Sequence, residues 1–194
     1  MDEQERIRGE VRARYQKVAS SGPEGFGYPT GIAGARFLEY DREFLQRAPP
    51  GLVEGFCGVG NPHRLGSIEA GQAVLDVGCG AGLDLFVAAL RAGSGGRVLG
   101  LDLTPEMARA AKTRVSRGGG PRVWVGAGRS EALPCRDQSF DRVLSNGVLN
   151  LSPDKRGTFC ELFRVLRPGG LLLFADIVRV GPGPQASGPQ AWSS

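Results

Sequence analysis

Apolar residues near the N-terminus recur with the period of a helix. Within residues 4–19 the apolar positions are spaced 4, 4 and 3 apart, at Ile7, Val11, Tyr15 and Val18. One apolar stripe with charged residues between its members predicts an amphipathic helix, which we interpret as a lid on a core rather than a partner site. A second, short helix is predicted over Ala35–Gln46, and residues 49–71 are predicted to form a loop.

From residue 71 onward, apolar residues come instead in five short continuous runs. The runs are Ala73–Val77, Arg97–Leu103, Arg122–Ala127, Asp141–Leu149 and Leu171–Val178. Strands that are apolar throughout and alternate with helices are typical of a parallel sheet that is covered on both faces. The pattern therefore predicts an α/β fold with a Rossmann-like, doubly wound parallel sheet, truncated after the fifth strand.

Helix signals fall between these runs. After the first run, the apolar residues of the next segment share one helix face: Leu83, Phe86, Val87 and Leu90. Thr104-Pro105 and Ser152-Pro153 each combine an N-cap residue with a proline in the first turn, which predicts the start of a helix. The segment Arg167-Pro168-Gly169-Gly170 predicts the end of the last helix.

These patterns divide the chain into three parts. Residues 1–70 are predicted to form an N-terminal helical cap and loop segment, and residues 71–180 the Rossmann-like core. Residues 181–194 (GPGPQASGPQAWSS) lack apolar periodicity and predict a disordered Gly/Pro-rich tail. With 194 residues, the chain is long enough for one domain with a substantial core.

Charge and cysteine content exclude several classes of function. The net charge is +4, and its 24 basic residues are interleaved with acidic ones. No block of like charge resembles a nucleic-acid arm, so we expect no nucleic-acid partner. No apolar stretch approaches the ~18 residues of a membrane span, so we expect no membrane partner. Four cysteines without a C-x-x-C pair favour neither a metal site nor disulfides, and predict a reducing, cytoplasmic compartment.

The clearest candidate site is a glycine loop between the first strand and its helix. It comprises Gly78, Cys79, Gly80, Ala81 and Gly82, and Asp76 precedes it. Asp102 ends the next strand, 20 residues beyond Gly82, where a carboxylate can accept hydrogen bonds from a ribose. Leu83 and Leu85 stand where the third glycine of a dinucleotide fingerprint would fall. The spacing therefore favours a cofactor with a ribose but without a pyrophosphate.

At this point the sequence resembles a known family. Five segments in the right order are similar to class I S-adenosylmethionine-dependent methyltransferases, and they span residues 71–178. They are Val74–Gly82 (VLDVGCGAG), Leu101–Met107 (LDLTPEM), 131–134 (EALP), 139–141 (SFD) and Phe163–Gly170 (FRVLRPGG). Three further segments most resemble the arsenite methyltransferases: residues 60–62 (GNP), 104–107 (TPEM) and 145–153 (SNGVLNLSP).

The resemblance implies S-adenosylmethionine as cofactor and transfer of its methyl group to a small-molecule acceptor, which includes arsenite-like acceptors. It implies that the loop from Gly78 to Gly82 faces the methionine part and that Asp102 binds the ribose. It further implies that Leu103 packs on the adenine, that the Ser130 backbone N–H meets the ring edge, and that Asn146 lies by the methyl group. The resemblance assigns no catalytic residue.

Other residues of this site have alternative interpretations. Asp76 either contacts the cofactor or orients the loop through backbone hydrogen bonds. Cys79 is interpreted as a small apolar filler rather than a nucleophile. His63, the single histidine, is interpreted as a surface residue rather than a catalytic base. Asp141 is interpreted as structural.

The chain departs from the family in three places. Arg129 stands where the family has an acidic residue for the adenine amino group, and it offers donors only. Val59 and Gly147 stand where arsenite methyltransferases carry cysteines, and Cys57 is two residues from the first of these. The fifth strand is left at a sheet edge, which invites pairing with a second copy or another chain. The alternative function is therefore a catalytically impaired or truncated methyltransferase-like protein that acts as a binding or interaction module.

Overall fold

A computed structural model describes residues 2–118 and 122–178. The predicted tail at 181–194 lies outside these residues. In chain order the helices and strands are α1 (Glu3–Ser21), α2 (Gly31–Phe37), α3 (Arg42–Arg47), β1 (Ala73–Val77), α4 (Leu83–Ala92), β2 (Arg97–Asp102), α5 (Pro105–Ser116), β3 (Val123–Ala127), β4 (Phe140–Asn146), α6 (Lys155–Val165) and β5 (Leu166–Ala175). Short 3₁₀ turns lie at Pro62–Arg64 and Leu149–Leu151.

The five strands form one parallel sheet in the order β3-β2-β1-β4-β5. Alternate residues of each strand face opposite sides because side chains in a strand alternate. Val74 packs with the α4 core on one face, whereas Leu75 packs with Leu162 of α6 on the other. Two separate cores confirm the doubly wound, Rossmann-like fold. In the described part of the chain, β3 and β5 are the edge strands.

The predicted helix over Ala35–Gln46 is wrong as a single element. The structure has two helices here, because Glu39 adopts a left-handed conformation with φ of 56° that an α-helix cannot continue through. A new helix then begins at Arg42, where the Asp41 carboxylate accepts a hydrogen bond from the Glu43 N–H at 2.9 Å. Local capping therefore overrides the apolar pattern.

The predicted limits of the last helix are also wrong. The sequence predicts Ser152 as the N-cap and Pro153 in the first turn, but the helix begins two residues later, at Lys155. Asp154 is the N-cap, and its side chain accepts a hydrogen bond from the Gly157 N–H at 2.8 Å. It ends at Val165, before the Arg167-Pro168-Gly169-Gly170 segment. That segment forms a bulge inside β5, since Phe140 pairs with Leu166 but Arg142 pairs with Leu171.

The first helix lies across α5 and over the carboxyl end of the sheet. Its Val18 is buried, and its Val11 and Tyr15 line the cleft described below. The predicted apolar stripe is thus confirmed as a lid. Within residues 2–118 and 122–178, none of the helices combines the length and apolar character needed to cross a membrane.

Candidate functional site

A cleft opens over the carboxyl ends of β1, β2 and β4, which is where ligands bind in open α/β sheets. Six of the predicted site residues lie in its lining: Gly78, Gly80, Asp102, Leu103, Ser130 and Asn146. Four others lie outside the lining: Asp76, Cys79, Gly82 and Arg129. The structure therefore places the first six residues around one cleft. The other four lie outside that lining.

The glycine loop turns tightly at the end of β1. Gly78, Gly80 and Gly82 have φ values of 77°, 51° and 99°, in the left-handed region that favours glycine. The Gly78 N–H donates to the Leu101 carbonyl at 2.7 Å, which ties the loop to β2. A Cβ atom at Gly78 would lie 2.3 Å from Val148 Cγ2. The loop is thus packed tightly enough that its backbone forms the cleft surface.

Asp102 fixes the glycine loop from the neighbouring strand. Its Oδ2 accepts from the Gly80 N–H at 2.9 Å and its Oδ1 from the Thr104 N–H at 2.8 Å. Burial raises the pKa of this carboxyl, and the two backbone donors oppose the shift. Each carboxylate oxygen has a second lone pair. Asp102 can therefore accept further hydrogen bonds from a ligand while it holds the loop.

Asp76 and Cys79 lie behind the loop. Asp76 is 1% exposed, and its Oδ2 finds no hydrogen-bond partner among the described residues. Burial, together with the nearby Asp84 charge, raises the pKa of Asp76 well above its usual range. Cys79 is buried, and burial also raises the pKa of its thiol. Both properties agree with the interpretation of Cys79 as an apolar filler, because a nucleophile needs the thiolate.

Gly82 and Arg129 serve packing and the lid rather than the cleft wall. Gly82 caps α4 and lies against α5, where a Cβ atom would be 3.0 Å from Val115. The Arg129 guanidinium points to Glu5 of α1, with Nη1 3.5 Å from Oε1. Arg129 thus lies outside the cleft lining beside the α1 carboxylate, and its expected place at the adenine stays a prediction.

Two charged residues that the sequence did not predict as site residues line the cleft. Arg8 of α1 and Glu131 of the loop after β3 both line it, and Arg8 Nε lies 3.2 Å from Glu131 Oε1. Arg8 also pairs with Glu5 at 2.7 Å. The contact spans 123 residues of sequence. The local pattern shows Arg8 as one more charge on a polar helix face, so it gives no signal for this pair.

His63 is buried, and its interpretation as a surface residue is wrong. It is 6% exposed, and its Nε2 lies 3.2 Å from Asp84 Oδ1. The 3₁₀ turn at Pro62–Arg64 directs the imidazole inward against α4, where the Tyr40 ring meets it edge-on at 6.3 Å. Asp141, by contrast, is confirmed as structural, because its Oδ2 accepts from the Ala73 N–H at 2.8 Å.

The two positions at which the family resemblance implied cysteines are neighbours, and of the two only Gly147 lies in the cleft lining. Val59 and Gly147 lie side by side, and a Cβ atom at Gly147 would be 3.3 Å from Val59 Cγ1. Among the described residues that line the cleft, Cys57 carries the one thiol. Burial raises the pKa of Cys57 to about 12, so the group is a neutral thiol at physiological pH. In residues 2–118 and 122–178, no group of His, Cys, Asp and Glu could hold a metal ion.

Comparisons with known proteins agree with this geometry. A family model described as a methyltransferase domain matches residues 68–191. An arsenite methyltransferase from Halobacterium salinarum is 36% identical over 194 aligned positions, which cover 93% of this chain and 49% of that protein. An arsenic(III) S-adenosylmethionine methyltransferase from Chlamydomonas reinhardtii superposes with a TM-score of 0.58 and 34% identity, over 77% of this chain and 50% of that one.

A second similar structure contains the cofactor. It is a phosphoethanolamine N-methyltransferase from Haemonchus contortus in complex with S-adenosylmethionine, with a TM-score of 0.52 and 31% identity over 58% of this chain and 26% of that one. The chain spans about half the length of the curated relatives it matches first.

Proposed function

Because the chain belongs to the class I S-adenosylmethionine-dependent methyltransferases, we propose that its cleft binds S-adenosylmethionine and directs the methyl group onto a small-molecule acceptor. The observation that carries the proposal is Asp102, which ends β2, holds the glycine loop and keeps free lone pairs at the cleft. A carboxylate in this place suits the two hydroxyls of a ribose.

The residues present fit the remaining parts of the cofactor. The backbone of Gly78 and Gly80 lines the cleft beside the methionine part, and Leu103 offers an apolar surface for the adenine. Ser130 supplies the backbone N–H for the ring edge. The buried, unpartnered Oδ2 of Asp76 behind the loop has the chemistry that an ammonium group requires.

The chain's contribution to catalysis is alignment and exclusion of water. S-adenosylmethionine supplies a methyl group on a sulfonium, which is already a good leaving group. Apolar side chains close the cleft around that position, namely Val11 from α1 with Val148 and Leu151 after β4. Burial raises the pKa of Tyr15 in the same lining, so its phenol stays neutral. The cleft therefore orients its reactants instead of ionising them.

The acceptor side favours a small organic molecule over arsenite. As(III) is soft and prefers thiolate ligands, whereas the cleft lining here presents Gly147 and the neutral Cys57 thiol, and Val59 packs against Gly147 outside that lining. An organic acceptor and arsenite give different methylated products, which can be told apart. With isotope-labelled cofactor, arsenite and the purified chain, we expect no methylated arsenic, and its appearance would contradict this assignment.

A reducing compartment such as the cytoplasm suits four free cysteines.

Calorimetric titration with S-adenosylmethionine tests the proposal directly. We expect wild type to bind and Asp102→Asn to bind at least ~10-fold more weakly, since a hydrogen bond to a charged group contributes ~1.5–3 kcal/mol. Asp137→Asn, an exposed carboxylate far from the cleft, is the matched control and should bind as wild type does. Absence of heat with the wild-type chain would overturn the proposal.

A second candidate function, an interaction module, is favoured by the exposed apolar surface at β5. Phe163 of α6 is 82% exposed, and Phe174 of β5 and Ile177 just beyond it are 39% and 50% exposed. Within residues 2–118 and 122–178, no strand pairs with the outer edge of β5, and such an edge is a template for pairing. On this candidate a second copy of the chain pairs with β5. Light scattering distinguishes the candidates, because a monomer at high concentration excludes the pairing.

A further inference from the structure

The Asn146 side chain has no hydrogen-bonding capacity left for a ligand, although it lines the cleft. Its Oδ1 accepts from the Val59 N–H at 2.8 Å and from the Gly60 N–H at 3.1 Å. Its Nδ2 lies 2.8 Å from the Gly60 carbonyl and 3.0 Å from Asp84 Oδ2. An amide has two donor hydrogens and two acceptor lone pairs. All four are used by the protein, so this side chain joins segments of the chain.

The segment that Asn146 holds is residues 57–60, which we call the acceptor wall. At Gly58 and Gly60 it approaches its neighbours so closely that only glycine fits. A Cβ atom at Gly58 would lie 2.4 Å from Asn146 Nδ2, and one at Gly60 would lie 2.4 Å from Ala175 Cβ. The acceptor wall is therefore pressed against β4 and β5, with Cys57 facing the cleft.

Asp84 supports Asn146 from behind. It lies in the first turn of α4, is 7% exposed, and is absent from the cleft lining. Its Oδ1 accepts from the Tyr40 hydroxyl at 2.6 Å and lies 3.2 Å from His63 Nε2, while its Oδ2 accepts from Asn146. Tyr40 and His63 come from the N-terminal 70 residues, so the carboxylate joins this cap to the Rossmann-like core.

We propose that Asp84 is a positioning residue for methyl transfer, supported by Tyr40 and His63. It acts through Asn146 to fix the acceptor wall, and thereby the side of the cleft at which the methyl acceptor binds. This role rests on the proposed function above. This role concerns the acceptor side of the cleft and not the cofactor side. The cofactor side is held by Asp102 and the glycine loop, and Asp84 makes no hydrogen bond with either of them.

The thiol of Cys57 reports the position of the acceptor wall without any acceptor. Iodoacetamide labelling, quantified for the Cys57 peptide by mass spectrometry, measures how often the wall opens. We expect Asp84→Ala and Asn146→Ala each to accelerate labelling of Cys57 by ~10-fold or more. Labelling of the exposed Cys160 on α6 should not change, and it serves as the internal control.

A double-mutant cycle distinguishes this role from a general loss of packing. If Asp84 acts through Asn146, the double variant labels no faster than Asn146→Ala alone, because the second change removes an interaction that is already lost. If the two residues instead had independent packing roles, the fold increases in labelling rate of the two single variants would multiply in the double variant. Tyr40→Phe removes a hydroxyl that hydrogen-bonds with Asp84, the Gly60 carbonyl and the Asn146 amide, and it keeps the ring beside Phe56, so it provides a second variant that retains the fold. We expect it to accelerate labelling by a few-fold.

Titration with S-adenosylmethionine completes the test. In Tyr40→Phe, which keeps the Asp84 charge beside Asp76, the dissociation constant should stay within about threefold of wild type, since the positioning acts on the acceptor side. Unchanged Cys57 labelling, additive effects, or a large loss of cofactor affinity would each overturn the positioning role. Failure of the wild-type chain to bind cofactor would overturn the proposed function instead, and the labelling results would still show whether Asp84 holds the wall.

Discussion

Arg8 and Glu131 form an ion pair that joins the first helix to the loop after β3. Arg8 Nε lies 3.2 Å from Glu131 Oε1, and the two side chains are 9% and 10% exposed. Ser130, the expected backbone donor to the adenine, immediately precedes Glu131. The lid is therefore attached to the cofactor side of the cleft by a buried contact, whereas most other ion pairs of α1 are exposed.

We expect Arg8→Met to lower the free energy of unfolding by ~3 kcal/mol, because it leaves the Glu131 carboxylate buried without its cation. Limited proteolysis should also cleave α1 more readily. Urea unfolding gives the first quantity, and the rate of loss of intact chain gives the second. Arg6→Met is the matched control, since its pair with Glu10 is exposed and contributes below ~1 kcal/mol. Equal effects of the two variants would contradict a stabilising role of the buried ion pair between Arg8 and Glu131.

The glycine loop gives a prediction with a matched backbone control. Gly78 and Gly25 have similar φ values of 77° and 73°, but only Gly78 has a neighbour that a Cβ atom would strike. Gly25→Ala should cost ~1–2 kcal/mol, which is the cost of the left-handed conformation alone. Gly78→Ala should cost a further ~1–3 kcal/mol for the conflict with Val148. Thermal unfolding measures both, and similar shifts in Tm would show that packing around the loop is loose.

The strands and the glycine loop could be predicted from sequence because their signals are local. Apolar runs define β1 to β4 within a few residues, and the spacing from Gly82 to Asp102 places a carboxylate at the cleft. The wrong helix limits came from capping, where Asp154 competes with Ser152 as the N-cap. Contacts such as Arg8–Glu131 and His63–Asp84 join distant segments. No local pattern encodes which buried partner a polar residue will meet.

Asp76 should make the protein less stable at neutral pH than in mild acid. Its pKa is raised in the folded state, so the folded chain binds more protons than the unfolded chain at pH values above ~3.9. The stability cost is absent below that value and grows as the pH rises through the folded pKa. Asp76→Asn removes this cost.

We therefore expect Asp76→Asn to raise Tm at pH 7, and each ~1 kcal/mol gained would appear as about 2–4 °C. The gain should shrink as the pH approaches 4. The same variant should weaken binding of S-adenosylmethionine, because the amide cannot replace a carboxylate as partner of an ammonium. Scanning calorimetry across pH measures the stability effect. A loss of stability at pH 7 would show that ionised Asp76 has a favourable partner in the fold.

Cys57 should be a slow thiol in the wild-type chain. Its pKa of about 12 leaves little thiolate at pH 7.5, whereas Cys160 is exposed. Iodoacetamide should label Cys160 first, and the rate at Cys57 should rise about tenfold for each pH unit below that pKa. Peptide mass spectrometry follows both sites in one sample. Equal rates at pH 7.5 would mean that Cys57 is activated and that thiol chemistry at the acceptor wall must be reconsidered.

The contact between Val59 and Gly147 limits which side chains these two positions can accept. Gly147 has a φ of 72°, so a cysteine there would require both a new side chain and a changed backbone, at a cost of ~1–2 kcal/mol. Val59 would have to shrink or shift at the same time. Cysteines at both positions would therefore need two substitutions together with a local change of the backbone, so this packing disfavours a pair of thiols beside Gly147.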